Sequence, residues 1–191
     1  MKTSRLEAFS ERVLAIIITI MVLGLQMPEG GGTFENLRPL IPKFLSYIIS
    51  FIYVGIYWNN HHHLFQIMEK VNGKILWANL ALLLWLSVLP FATAWMGDYN
   101  FAKNTVAVYG FVLLMCAAAF NTIEHFAVKN DGPESALANA LNQKKKEYIS
   151  LALYMSGIIL SFFYPKLGLL LYFIVALLWL IPDQRVEKKL N

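Results

Sequence analysis

Six long, predominantly apolar stretches, separated by short polar connections, constrain this chain more than any other feature. They run roughly from Phe9 to Met27, Pro42 to Trp58, Ile75 to Met96, Thr105 to Val128, Tyr148 to Phe163 and Leu167 to Ile181. Charged side chains within them are few and lie near the ends: Glu11 and Arg12 in the first, Lys43 in the second and Glu124 in the fourth. A bilayer core is crossed by about 20 apolar residues in a helix, and backbone polar groups in lipid must be satisfied within the segment itself. The expected fold is therefore all-α: residues 1–191 form one integral membrane domain, a bundle of six transmembrane helices. The balance of 58% hydrophobic to 15% charged residues departs from a soluble domain in the same direction. Between the fifth and sixth stretches only Tyr164, Pro165 and Lys166 intervene, and proline cannot continue a helix without losing a hydrogen bond. A tight helical hairpin is expected there.

The connections set an orientation. With both termini on one side, that side collects twelve of the sixteen lysines and arginines: Lys2, Arg5, Arg12, Lys70, Lys74, Lys129, Lys144, Lys145, Lys146, Arg185, Lys188 and Lys189. The other side holds Arg38, Lys43, Lys103 and Lys166. The positive-inside bias then puts both termini in the cytoplasm. The first stretch has the basic lead of a signal peptide, but Glu11 and Arg12 abut its apolar centre and the glycines at 30–32 make a poor cleavage site. It is expected to be a retained helix. The single cysteine, Cys116, lies inside an apolar stretch and gives no disulfide framework. No hydrophilic domain, nucleotide-binding glycine loop, His-Glu-x-x-His or nucleophile triad spacing is present, which leaves little for an enzyme. The net charge of +4 is distributed between apolar spans and needs no nucleic acid.

The first helix holds the most specific pattern. Positions i, i+4 and i+7 share a stripe, and from Ile16 that stripe takes in Ile20 and Leu23, with Met27 one turn on and Thr19 beside it. Such a helix is either apolar all round because it sits in lipid or a packed bundle, or one of several copies around an axis. In the second case the stripe forms stacked apolar rings that close a pore by excluding water. Thr19 would then be the one hydroxyl able to offer oxygen to a partly dehydrated cation. Periodicity alone does not separate the two.

Arg5, Phe9, Ser10 and Glu11, followed by the isoleucine-rich run, resemble the Arg-x-x-x-Phe-Ser-Asp signature that opens the pore helix in the potassium channel family of transmembrane protein 175. Its single-repeat, mostly bacterial members are similar to this chain in length and span count. The resemblance implies a homotetramer whose first helices line the pore, a constriction at Ile16, Ile20 and Leu23, and potassium preference at Thr19. It also implies a potassium-conducting, weakly selective channel in a bacterial plasma membrane, with no cofactor beyond the permeant ion. Glu11 departs from the family aspartate, lengthening the acid by one methylene. In the family, the arginine and Ser-acid positions join hydrogen bonds with histidine and tryptophan of neighbouring helices. That implies a network of Arg5, Phe9, Ser10 and Glu11 with Trp58 and His61, His62 or His63; charges snorkelling without a specific partner are the alternative.

The adjacent histidines also raise a metal. Neighbouring helical positions differ by about 100°, so His61, His62 and His63 cannot converge on one ion. His62, Gln66 and Glu69 share a stripe but supply too few ligands for a closed zinc site, even if Glu124 and His125 lie on the same side. No metal site is expected; a pH response of the triplet stays open. Nothing resembles the carbonyl filter of ordinary potassium channels, so selectivity is expected to be modest. Leu137 and Leu141, ahead of three lysines, allow a short interfacial helix or a plain basic loop. The runner-up to a channel is an ion-coupled secondary transporter, which calls for inverted repeats or broken spans; a membrane enzyme or scaffold comes third.

Overall fold

The computed structural model describes residues 3–29, 31–141 and 144–180. Every regular element among them is helical: α1 (Thr3–Leu23), a 3-10 turn (Phe34–Leu40), α2 (Ile41–Ile67), α3 (Gly73–Asp98), α4 (Lys103–Asp131), α5 (Ala136–Ala140), α6 (Lys145–Ser161) and α7 (Pro165–Leu180). Ile181, the expected end of the last span, lies outside the described residues, as do Gly30, Lys2, Arg185, Lys188 and Lys189.

By length and composition, three segments are long and apolar enough to cross a membrane: Phe34–Ile67, Gly73–Asp98 and Lys103–Asp131. α7 is apolar but has 16 residues, and α6 has 17. α1 spends its first turns on charged residues, so its uncharged part is only Val13 to Leu23.

Helix ends follow local chemistry. α1 stops at Leu23, where Gly24 begins the exit; Met27 therefore lies beyond the helix rather than one turn further along it. Asn72 caps α3, its side chain accepting from the Ile75 N–H at 3.0 Å. Pro165 opens α7 at a position that needs no intrahelical donor, closing the hairpin with α6. Gly132 ends α4 with φ of 98°, a conformation that favours glycine.

The centre of the bundle is α2, α3 and α4, with Val54, Ile75, Leu89, Leu113 and Ile123 fully buried between them. α1 rests against α2 and α3 on one flank, while the α6–α7 hairpin packs on α4 at the other. The loop after α2 is tied to the end of α4: the Glu69 N–H donates to Asp131 Oδ2 at 3.0 Å, and Asn72 Nδ2 to Asn130 Oδ1 at 2.8 Å. Those two connections thus share one end of the bundle, the end at which the start of α1 meets the end of α2. In the loop after α4, α5 is five residues long and Leu137 is buried against the bundle, so Leu137 does not present the lipid-touching face of an interfacial helix.

Candidate functional site at the first helix

α1 has two different sides. Leu6, Ser10, Leu14, Ile17 and Met21 are buried against α2 and α3. The opposite stripe is exposed along its length: Arg5, Phe9, Arg12, Ile16, Thr19, Ile20 and Leu23. Ile16 is 58% exposed and Leu23 75%, against 2% for Ile17. Because α1 is a flanking element, nothing among the described residues covers this stripe. Thr19 donates its hydroxyl proton to the Ala15 carbonyl at 2.9 Å, one turn back. Its oxygen lone pairs remain available on the exposed side.

The buried side holds a polar chain in an otherwise apolar interface. Ser10 Oγ donates to the Leu6 carbonyl at 3.0 Å and accepts from Asn79 Nδ2 at 2.9 Å. The Asn79 amide then faces its oxygen to His61 Nε2 at 2.8 Å, so that nitrogen carries the proton. All three residues are buried, and the His61 ring stacks on Phe65 with centroids 4.2 Å apart. Each member dictates the donor or acceptor sense of the next, which ties α1, α2 and α3 in one register.

A second, more open group lies at the edge of the same interface. His62 Nδ1 is 2.7 Å from Glu7 Oε1 and 3.9 Å from Glu11 Oε1. Gln66 Nε2 meets His62 Nε2 at 2.7 Å, and Trp58 Nε1 donates to Glu11 Oε1 at 3.4 Å while its ring stacks near His62. Of the residues expected in the network, Ser10, Glu11, Trp58, His61 and His62 come together in two groups within one chain. Arg5 and Phe9 do not: helical phase turns them to the exposed stripe, where Arg5 makes no hydrogen bond or ion pair among the described residues. His63 points elsewhere, half-buried, with Nδ1 unpartnered among the described residues.

Comparison with known proteins follows the same helices. Residues 5–90 match the family described as endosomal/lysosomal potassium channel TMEM175. A protein named as a potassium channel from Chryseobacterium sp. (strain P1-3) is 57% identical over 191 residues, covering 100% of this chain and 99% of that one. The chain belongs to the TMEM175 family. Another relative, a potassium channel from Chamaesiphon minutus (strain ATCC 27169 / PCC 6605), is 29% identical over 92% of each chain. The crystal structure of a lysosomal potassium-selective channel TMEM175 homolog from Chamaesiphon minutus superposes with a TM-score of 0.82 at 28% identity, covering 93% of this chain and 95% of that one. The family and these relatives are ion channels, not enzymes.

Within this TMEM175-family chain, Asn79 and Glu7 are the site residues that sequence reasoning missed. Glu7 had a signal, since it lies one turn before Glu11 on the same side of α1. Asn79 had only a weak one: it is the single amide within the apolar run of α3, and such a group in a membrane helix needs a partner.

Proposed function

We propose that the chain is one subunit of a potassium-conducting, weakly selective cation channel in which the first helices of several copies surround the ion path. The observation that carries this reading is the exposed stripe of α1, Ile16, Ile20 and Leu23 with Thr19 beside it, on a helix whose other side is buried. Rings of these aliphatics would oppose the passage of an ion, which must shed its hydration there without replacement ligands. Thr19, its proton committed to Ala15, offers a ring of oxygen lone pairs to a partly dehydrated cation. Four copies, as the family resemblance implies, would bring four such helices to one axis. The potassium channel names of the relatives support the choice of ion. Six spans with both termini in the cytoplasm of a bacterial cell fit the lysine and arginine distribution. In this arrangement α1, α6 and α7 cross the bilayer beside α2, α3 and α4, with the charged turns of α1 at the cytoplasmic interface.

A flux assay on proteoliposomes tests the reading. The channel should pass potassium down its gradient without a coupled ion. Saturating flux with obligatory proton coupling would instead identify a secondary transporter.

A further inference from the structure

Glu7, Glu11 and His62 form a cluster that the ion path does not use. Their ligand atoms, two carboxylate oxygens and one imidazole nitrogen, all lie within 4.8 Å of one another. The two acids sit one turn apart on α1, an arrangement in which like charges repel. Among the described residues no lysine or arginine pairs with either; the contacts that meet them are His62 and the distant Trp58 N–H. The cluster sets two partly buried carboxylates against one imidazole, a grouping of donor atoms suited to a cation.

We propose that Glu7, Glu11 and His62 bind a divalent transition-metal ion, with zinc as the best-fitting class, clamping α1 to α2. One nitrogen and two carboxylate oxygens with an open fourth position is the donor set of a three-ligand zinc site completed by water. Calcium and magnesium prefer more oxygens and no imidazole. Metal–ligand bonds of about 2.0–2.2 Å set tetrahedral ligands about 3.3 Å apart. The Glu11–His62 separation of 3.9 Å is already near that value. Glu7, now at hydrogen-bond distance of 2.7 Å, needs to retreat by less than an ångström, within the freedom of a glutamate side chain.

Gln66 supplies the remaining condition. At present its amide N–H donates to His62 Nε2, which leaves the proton on Nδ1 toward Glu7. Turning that amide by half a rotation presents its oxygen to an Nε2–H and frees Nδ1 as a metal ligand. An outer partner on the far imidazole nitrogen is the usual companion of a ligating histidine. The site is built within one chain, so it stands or falls apart from the pore reading.

Zinc binding to the purified full-length protein, stripped with chelator, provides the test, read by calorimetry and by the fluorescence of Trp58 beside His62. The expected result is saturable binding of one zinc per chain, undisturbed by magnesium or calcium. Glu7→Gln and His62→Gln should each weaken it about tenfold or more, while Glu69→Gln on the same end of the bundle leaves it unchanged. Trp58→Phe should remove the fluorescence response but not the calorimetric one. Glu11→Gln, at the most exposed of the three ligands, gives a further arm and should also weaken binding about tenfold. That arm decides the matter if Glu7→Gln or His62→Gln fails to keep its helical content. Absence of saturable zinc binding, or affinity equal to the wild type in folded glutamine variants, would each overturn the site.

Discussion

Thr19 and Ile16 differ from their buried neighbours in lying outside the core formed by the described residues. Among the described residues Thr19 bonds only back to Ala15, and Ile16 is largely exposed on the stripe that α1 turns away from the bundle. Their substitution should therefore separate conduction from stability. Ile16→Asn is expected to lower the apolar barrier and raise potassium flux, with little change in thermal unfolding. Ile17→Asn, one residue on but 2% exposed, should instead bury an unsatisfied amide and lose folded protein. Comparable flux from the wild type and Ile16→Asn would remove Ile16 from the constriction. For Thr19→Ala, losing the hydroxyl that the proposed pore presents to the ion should narrow the preference for potassium over sodium; an unaltered reversal potential under mixed gradients would count against that role. Asn79 belongs to the opposite class. Asn79→Leu leaves the His61 Nε2–H without its acceptor in a buried place, and the expected cost is about 1–3 kcal/mol in unfolding free energy.

At the scale of helices, the bundle depends on close approaches that small residues permit. Tyr172 of α7 inserts between Gly110 of α4 and Gly157 of α6, and a Cβ at either glycine would collide with its ring or hydroxyl. Gly168 meets the Gly157 carbonyl and Ser161 in the same hairpin. Membrane helices, lacking a hydrophobic drive toward one another, rely on such contacts. Gly110→Ala should thus destabilise the protein by about 1–3 kcal/mol, read by thermal unfolding in detergent. Gly55→Ala makes the control, since nothing lies within 4 Å of a Cβ placed there. Several helices were legible in the chain from apolar length and proline or glycine punctuation, including the hairpin at Pro165. The extension of α2 through all three histidines to Ile67 was not, because polar residues at its end carry no apolar signal and are held by α1 and α3 instead.

For the molecule as a whole, the placement of α1 at the flank matters most. A helix covered on one side and bare on the other is the arrangement that the proposed assembly of several copies requires. Cys116 is buried, so an introduced thiol reports without background from the native one. Leu23→Cys should be modified by a water-soluble thiol reagent only where water reaches the stripe, and its modification should block flux. Cysteine at Ile17 should react little and leave flux unaffected. Reaction at Leu23 with no effect on flux would separate that residue from the ion route.

Apolar lengths, punctuation by glycine and proline, and the phase of a helix are local properties, and they suffice to arrange Ile16, Ile20 and Leu23 along one face. They do not say whether that face turns inward, because the second half of α1 is apolar nearly all round and burying either side would satisfy the pattern. Contact with α2 and α3 decides it, selecting Leu14, Ile17 and Met21. The same holds for the polar groups: Ser10 meets Asn79 across 69 positions of chain and Glu7 meets His62 across 55, and such pairings arise only when packed helices bring distant donors and acceptors together.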